Sequence, residues 1–188
     1  MFRKPVLIVI AIFIFSPSLF AAEPYKGFAM EFNPGLFFTI GGNKSNSNSE
    51  PYVNLLFGYS FGKSSMTGLS LSSSMVSNNA VEKKTGDYDK DRVNYDNFEL
   101  LSINLAYQYK IGIGEELYIP LKVFGGGTIA SPTPNNKGTF LPDFGVATGV
   151  GYDSYRKGLQ LGLEFAFSYI LNINAKAIMV YPSIKYVF

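Results

Sequence analysis

What most constrains this chain is a strict two-residue alternation of bulky apolar residues with small or polar ones. Side chains along an extended strand point to opposite faces in turn, so such a pattern specifies β-strands with one apolar face each. Four stretches show it cleanly. Val53, Leu55, Phe57, Tyr59 and Phe61 alternate with Asn54, Gly58 and Ser60. Leu101, Ile103, Leu105, Tyr107, Tyr109 and Ile111 alternate with Ser102, Asn104, Ala106 and Gln108. Leu117, Ile119, Leu121 and Val123 have Lys122 on the other side, and Leu159 to Tyr169 sets Leu161, Leu163, Phe165 and Phe167 against Gln160, Gly162, Glu164, Ala166 and Ser168. Four further stretches are less regular: Phe28–Ile40, Thr67–Met75, Phe144–Tyr152 and Ile178–Phe188. Pro34 inside the first predicts an edge or a bulge there, because proline removes a ladder donor. A helical apolar stripe is hard to find.

The segments between these eight predicted strands alternate in length. Gly41–Glu50, Ser77–Asp96 and Gly127–Leu141 are long and rich in Asn, Ser, Gly, Pro and charge. The turns near Gly62–Ser64, Gly112–Gly114 and Ser154–Gly158 are short, and the last connection, Asn172–Lys176, is modest. Antiparallel neighbours joined at alternate ends bring the long segments to one rim, as in a transmembrane barrel with short turns on one side and long loops on the other.

A soluble barrel also has an apolar and a polar face, so the choice rests on what each face carries. A face meeting water would be dense in Lys, Glu and Asp. Here the non-apolar face is mostly Gly, Ala, Ser, Asn and Gln, and only 16% of the chain is charged. The opposite face is bulky and nearly free of charge, with Tyr and Phe near strand ends. This fits a barrel in lipid whose interior is just wide enough for side chains, with aromatic girdles at the interfaces. An open sheet is excluded there, because its edges would leave backbone groups unsatisfied. The predicted fold is therefore all-β: an eight-stranded antiparallel up-and-down transmembrane β-barrel.

Residues 1–22 predict a signal peptide. Arg3 and Lys4 precede the ten-residue apolar run Val6–Phe15, and Ser16-Pro17-Ser18 leads to Ala21-Ala22. A membrane-spanning helix needs roughly 20 apolar residues, about twice this run. Cleavage is expected after Ala22. Cleavage after Ala21 is the alternative, because Phe20 would be large for its place before the Ala22 site. Residues 23–188 then form the barrel domain, exported by the Sec route to the outer membrane. Removal of Arg3 and Lys4 takes the formal charge from +2 to 0, leaving no polycation to attract nucleic acid.

Parity places Glu31, Lys122, Glu164 and Lys185 in the lumen. Unpaired charge in a narrow interior is costly, so these residues predict a plug of ion pairs and hydrogen bonds with Asn33, Asn54, Asn104 and Gln108. Cysteine and histidine are both absent, which removes disulfides, thiolate and imidazole metal sites, and His-based triads. No catalytic, cofactor or metal residues are predicted. Asp87-Tyr88-Asp89-Lys90-Asp91 resembles the opening of a calcium loop, but positions six and twelve hold Arg92 and Phe98 in place of Gly and Glu. Lys83, Lys84, Lys90 and Arg92 offer contacts to lipopolysaccharide phosphates. Gly125-Gly126-Gly127-Thr128 lacks a phosphate-loop context and is expected at a strand exit; Gly145, Gly149 and Gly151 are expected to make room for side chains from facing strands.

The final stretch, Val180-Tyr181-Pro182-Ser183-Ile184-Lys185-Tyr186-Val187-Phe188, resembles the terminal strand of bacterial outer-membrane β-barrels. In architecture the chain from residue 23 on is similar to small barrels of the OmpA and OmpX type, without the peptidoglycan-binding domain of full-length OmpA. The resemblance implies that Tyr186 and Phe188 are read by the barrel-assembly machinery, and that outer-membrane lipid and lipopolysaccharide surround the protein. It implies no activity. The barrel enzymes of outer membranes mostly use a histidine, which this chain lacks. The expected role is a non-enzymatic barrel presenting long loops for surface interaction or envelope support. Its alternatives are a narrow pore for small solutes, or a barrel subunit with an envelope partner in a complex such as gliding-motility machinery.

Overall fold

The computed structural model describes residues 25–40, 49–77, 97–131, 140–154, 158–171 and 175–188. Eight strands account for nearly all of them: β1 (Lys26–Ile40), β2 (Ser49–Phe61), β3 (Ser65–Ser77), β4 (Asn97–Gly112), β5 (Leu117–Ser131), β6 (Phe140–Asp153), β7 (Leu159–Ile170) and β8 (Ala175–Val187). Each pairs antiparallel with its sequence neighbour, and β1 pairs with β8 to close the barrel. The predicted signal peptide, the Asp87–Asp91 run and the basic residues Lys83, Lys84, Lys90 and Arg92 lie outside the described residues.

The sheet closes with a stagger. Stepping from Ala29 through the directly paired Gly58, Gly68, Ala106, Phe124, Gly145, Ser168 and Ala177 returns to β1 at Thr39, ten residues beyond the start. Strand number and stagger together set the tilt and width of a barrel, and eight strands leave an interior that side chains fill.

The outer surface is apolar around its whole circumference. Leu105, Val123, Phe144, Val150, Leu163 and Ile184 all point outward and are about half exposed or more. Among the outward-facing residues of the described strands, Lys26, Glu99 and Lys176 carry charge, and each stands at or near a strand end. Aromatic residues gather toward both rims. Phe28, Tyr59, Phe61, Tyr107 and Tyr109 form a belt toward the rim of the short turns. Phe140 and Phe144 stand toward the other, where Phe144 meets Tyr169 edge-on at 5.7 Å. A charge-free band between two aromatic girdles is what a lipid bilayer demands of a barrel. The eight strands meet that demand without any helix, since their backbone groups pair across a closed sheet.

Two expectations are corrected. Pro34 causes neither a bulge nor an edge: it stays in register opposite Val53 of β2, and β1 is flanked by β2 and β8. The run Gly125-Gly126-Gly127-Thr128 is no strand exit, for it lies inside β5 and pairs on both sides, with β4 and with β6. Glycine is required there by close approach. A Cβ on Gly127 would stand inside the Phe140 ring, and one on Gly126 would lie 2.6 Å from Oδ1 of Asn104. Gly145 and Gly151 do make room for neighbours across the strand pair, the rings of Phe124 and Tyr118 respectively.

Candidate functional site

The buried interior of the barrel is where the polar chemistry collects. All eight residues predicted for the lumen network, Glu31, Asn33, Asn54, Asn104, Gln108, Lys122, Glu164 and Lys185, are inward and almost fully shielded from solvent. Their strands place them by register. Glu31 of β1 lies directly opposite Lys185 of β8, Asn33 opposite Asn54, and Gln108 of β4 opposite Lys122 of β5.

Lys122 is the centre of the plug. Its ammonium donates to Oε1 of Glu31 and, at 2.9 Å, to Oε1 of Glu164; its distance to Oε2 of Glu164 is 2.8 Å. One carboxylate comes from β1, opposite β5 in the circuit of eight strands, and the other from β7, two strands from β5, so this one side chain bridges the barrel. Ser183 donates to Glu31 at 3.0 Å, and the Tyr181 hydroxyl donates to Glu164. Lys185 donates to Gln108 Oε1 at 3.2 Å, tying β8 to β4 through the interior. Removing one partner of such a buried set strands the others, which is why the set is constrained as a unit.

Above and below this centre lie two smaller polar groups. Toward the rim of the short turns, Lys110 sits 3.8 Å from Asp153 and 4.3 Å from the centre of the Tyr118 ring, while Gln160 donates to Asp153 at 2.6 Å. Toward the long-loop rim, Asp143 Oδ2 accepts from Thr128 at 2.9 Å and from Asn104 at 3.2 Å. Ser102 and Thr128 share a hydroxyl contact of 2.6 Å, and Ser70 donates to Asn54 at 2.6 Å.

Apolar side chains also occupy the lumen. Phe37, Leu100, Leu141, Ile170 and Met179 form a cluster in the half toward the long loops, and Ala29, Leu56, Met66 and Val187 form one in the other half. Phe124 packs against both. Between the upper cluster and the Lys122 plug a cavity leaves about 30 Å³ for the centres of water-sized molecules. That is room for roughly two waters.

Sequence reasoning missed Asp143, Thr128, Lys110 and Asp153. Lys110 was available, since it continues the inward parity of Ser102, Asn104, Ala106 and Gln108. Thr128 was hidden by reading the glycine run as the end of a strand, and Asp143 by starting the sixth strand at Phe144, whereas β6 begins at Phe140. Among the described residues no group of three or more His, Cys, Asp or Glu is arranged to hold a metal. Tyr186 and Phe188 stand outside the lumen at the seam end, 4.8 Å apart and edge-on, with Phe28 a further 6.0 Å from Phe188.

No protein-family model matches the chain, and no curated protein matches it. Solved structures do. Neisserial surface protein A is similar with a TM-score of 0.62 and 15% identity, over 86% of this chain and 97% of that one. Ail, the attachment invasion locus protein of Yersinia pestis, is similar with a TM-score of 0.51 and 14% identity, over 87% of this chain and 99% of that one. The structure of Ail in complex with the heparin analogue sucrose octasulfate gives a TM-score of 0.51 and 13% identity, over 87% and 99% of the two chains. At these identities the likeness is one of fold: the small eight-stranded outer-membrane β-barrel.

Proposed function

We propose that the protein is a non-enzymatic barrel of the bacterial outer membrane that presents its long inter-strand segments at the cell surface, for surface interaction or envelope support. Residues 1–22 direct Sec-type export and are removed. Outer-membrane lipid surrounds the apolar band, and lipopolysaccharide phosphates meet the basic residues of the 78–96 segment. Phe188 and Tyr186 engage the barrel-assembly machinery. The fold shared with Neisserial surface protein A and Ail supports this reading.

The observation that carries it is the closed lumen. The Lys122 bridge to Glu31 and Glu164 crosses the interior, and the space above it holds little more than water. A barrel blocked in this way has its working surface outside, on the segments joining β1 to β2, β3 to β4 and β5 to β6. The chemistry points the same way, for the chain has no histidine to serve as a general base.

Planar-bilayer recording of refolded protein tests the closed lumen. The expected result is a quiet membrane, and reproducible single-channel steps would favour the narrow-pore reading. Surface exposure is tested separately, by protease digestion of intact cells: cleavage within 78–96 is expected without permeabilisation. Cleavage only after permeabilisation would reverse the assigned orientation.

A further inference from the structure

Among the described residues, the buried charges of the lumen divide into sets that balance, with one residue left over. Lys122 contacts Glu31 and Glu164, and Lys185 lies directly across the closing seam from Glu31, so that set of four is neutral. Lys110 faces Asp153 at 3.8 Å, a second neutral set. Asp143 remains. It is 7% exposed, and among the described residues no Lys or Arg lies within ion-pair distance of it. Its Oδ2 takes the hydrogen bonds from Thr128 and Asn104, but its Oδ1 has no hydrogen-bond partner, and neither has Oδ1 of Asn104.

Both residues line the cavity above the plug, together with Ser102. Lys122 lies at the same cavity, but two carboxylates hold its ammonium, so it adds no uncompensated positive charge there. The Asn104 amide nitrogen is spent on Asp143 Oδ2, and the cavity-lining groups beside Asp143 that remain to coordinate a cation are oxygens: its own Oδ1, the Asn104 amide carbonyl and the Ser102 hydroxyl. Hard cations take such donors, whereas transition metals select nitrogen and sulfur. One carboxylate balances one positive charge, while a calcium site gathers several. The space, about 30 Å³ for the centres of water-sized molecules, suits an ion with a water or two.

We infer that Asp143, with the neighbouring oxygens of Asn104 and Ser102, forms a binding site for a monovalent inorganic cation of the sodium class. The bound ion neutralises the one lumen carboxylate that no ammonium of the described residues balances, and joins β4 and β6 through the upper lumen.

Refolded protein in detergent tests this at about pH 8, well above the ordinary carboxylate range. Thermal unfolding is measured in sodium chloride and in choline chloride at equal ionic strength, since choline is too large for the cavity. A midpoint several degrees higher in sodium is expected, and loss of that difference in the isosteric variant Asp143→Asn. Sodium NMR on the wild-type protein gives a readout that needs no variant: line broadening above that of an empty-detergent control is expected. Equal midpoints in the two salts, a sodium effect retained in D143N, or no broadening would each overturn the site. An infrared band of protonated carboxyl that vanishes in D143N would also overturn it, by showing the charge removed by a proton. A stabilisation by calcium chloride that sodium does not produce would overturn the monovalent assignment.

Discussion

Pro34 of β1 lies directly across the closing seam from Pro182 of β8, as the flanking pairs Phe32↔Ile184 and Leu36↔Val180 require. The Phe188 amide donates to the Phe28 carbonyl at 2.8 Å, which makes the even-numbered residues of β1 the hydrogen-bonded positions of this seam. Pro34 and Pro182 therefore meet where each should donate to the other, and neither has an N–H to give. Ladder pairing is interrupted between Phe32 and Leu36 while the register is kept. The same two prolines sit at positions with no donor duty toward β2 and β7, opposite Val53 and Leu163. The strand pair that closes the sheet thus carries a gap in its ladder.

Restoring the donors is expected to stabilise the barrel. The double variant Pro34→Ala/Pro182→Ala regains two backbone hydrogen bonds, each about 1 kcal/mol net and more where water is excluded. Loss of proline's restriction of the unfolded chain offsets roughly 0.4–1 kcal/mol per site. A net gain of about 1 kcal/mol should appear in denaturant unfolding from lipid vesicles, with slower amide exchange at Leu36 and Ile184. A less stable double variant would contradict this account of the seam.

Lys122 gives the sharpest stability contrast in the lumen. Lys122→Met leaves Glu31 and Glu164 buried together without their shared cation, and should cost about 3–5 kcal/mol. The quadruple variant Glu31→Gln/Lys122→Met/Glu164→Gln/Lys185→Met removes the neutral set of four and should recover most of that loss. Unfolding midpoints of the two variants decide the matter, and a quadruple variant no better than the single one would show that the ion pairs are not the source of the cost.

How far the fold could be read from residues alone depended on whether apolar character marked one face or two. From Val53 to Phe61 the outward residues are bulky and the inward ones include Asn54, Gly58 and Ser60, so parity is unambiguous and β2 is plain. At Leu100-Leu101 and Phe37-Phe38 both faces are apolar, because Leu100 and Phe37 belong to the cluster inside the upper lumen. Alternation carries no signal there. The glycines of β5 failed for another reason: they are selected by contacts with Phe140 and Asn104, which sit elsewhere in the chain and become neighbours only through register. Asp143 was missed because alternation becomes plain only from Phe144, after Pro142, while β6 begins at Phe140. Glu31, Lys122, Glu164 and Lys185 were accessible because a charge amid strict alternation declares its own face, but that Lys122 would bridge two carboxylates from β1 and β7 depends on the ten-residue stagger, which no local pattern encodes.

Phe124 separates the two halves of the lumen. Its ring lies over Gly145 and packs against both apolar clusters. Phe124→Ala should cost about 3 kcal/mol, the low end for such a truncation because the ring is half-buried. The space it vacates adjoins the cavity lined by Asn104, Asp143 and Lys122. Small-ion conductance should therefore rise in this variant before it does in Lys185→Met, whose side chain lies deeper toward the short-turn rim. Bilayer recordings of the two variants side by side measure the order, and the reverse order would place the constriction at Lys185.

Phe188 closes the outer surface at the seam, its ring edge-on to Tyr186 at 4.8 Å and its amide bonded to the Phe28 carbonyl. Half-buried rings at a rim contribute modestly to folding, so deletion of Phe188 should lower the stability of refolded protein by only about 1 kcal/mol. On the proposed function, recognition by the assembly machinery is a separate demand on the aromatic terminus. Deletion should then sharply reduce the heat-modifiable, membrane-inserted form in cells while refolding in detergent stays efficient. Phe188→Tyr should restore assembly, because it keeps the ring. Equal losses in cells and in detergent would assign Phe188 to the folded seam alone.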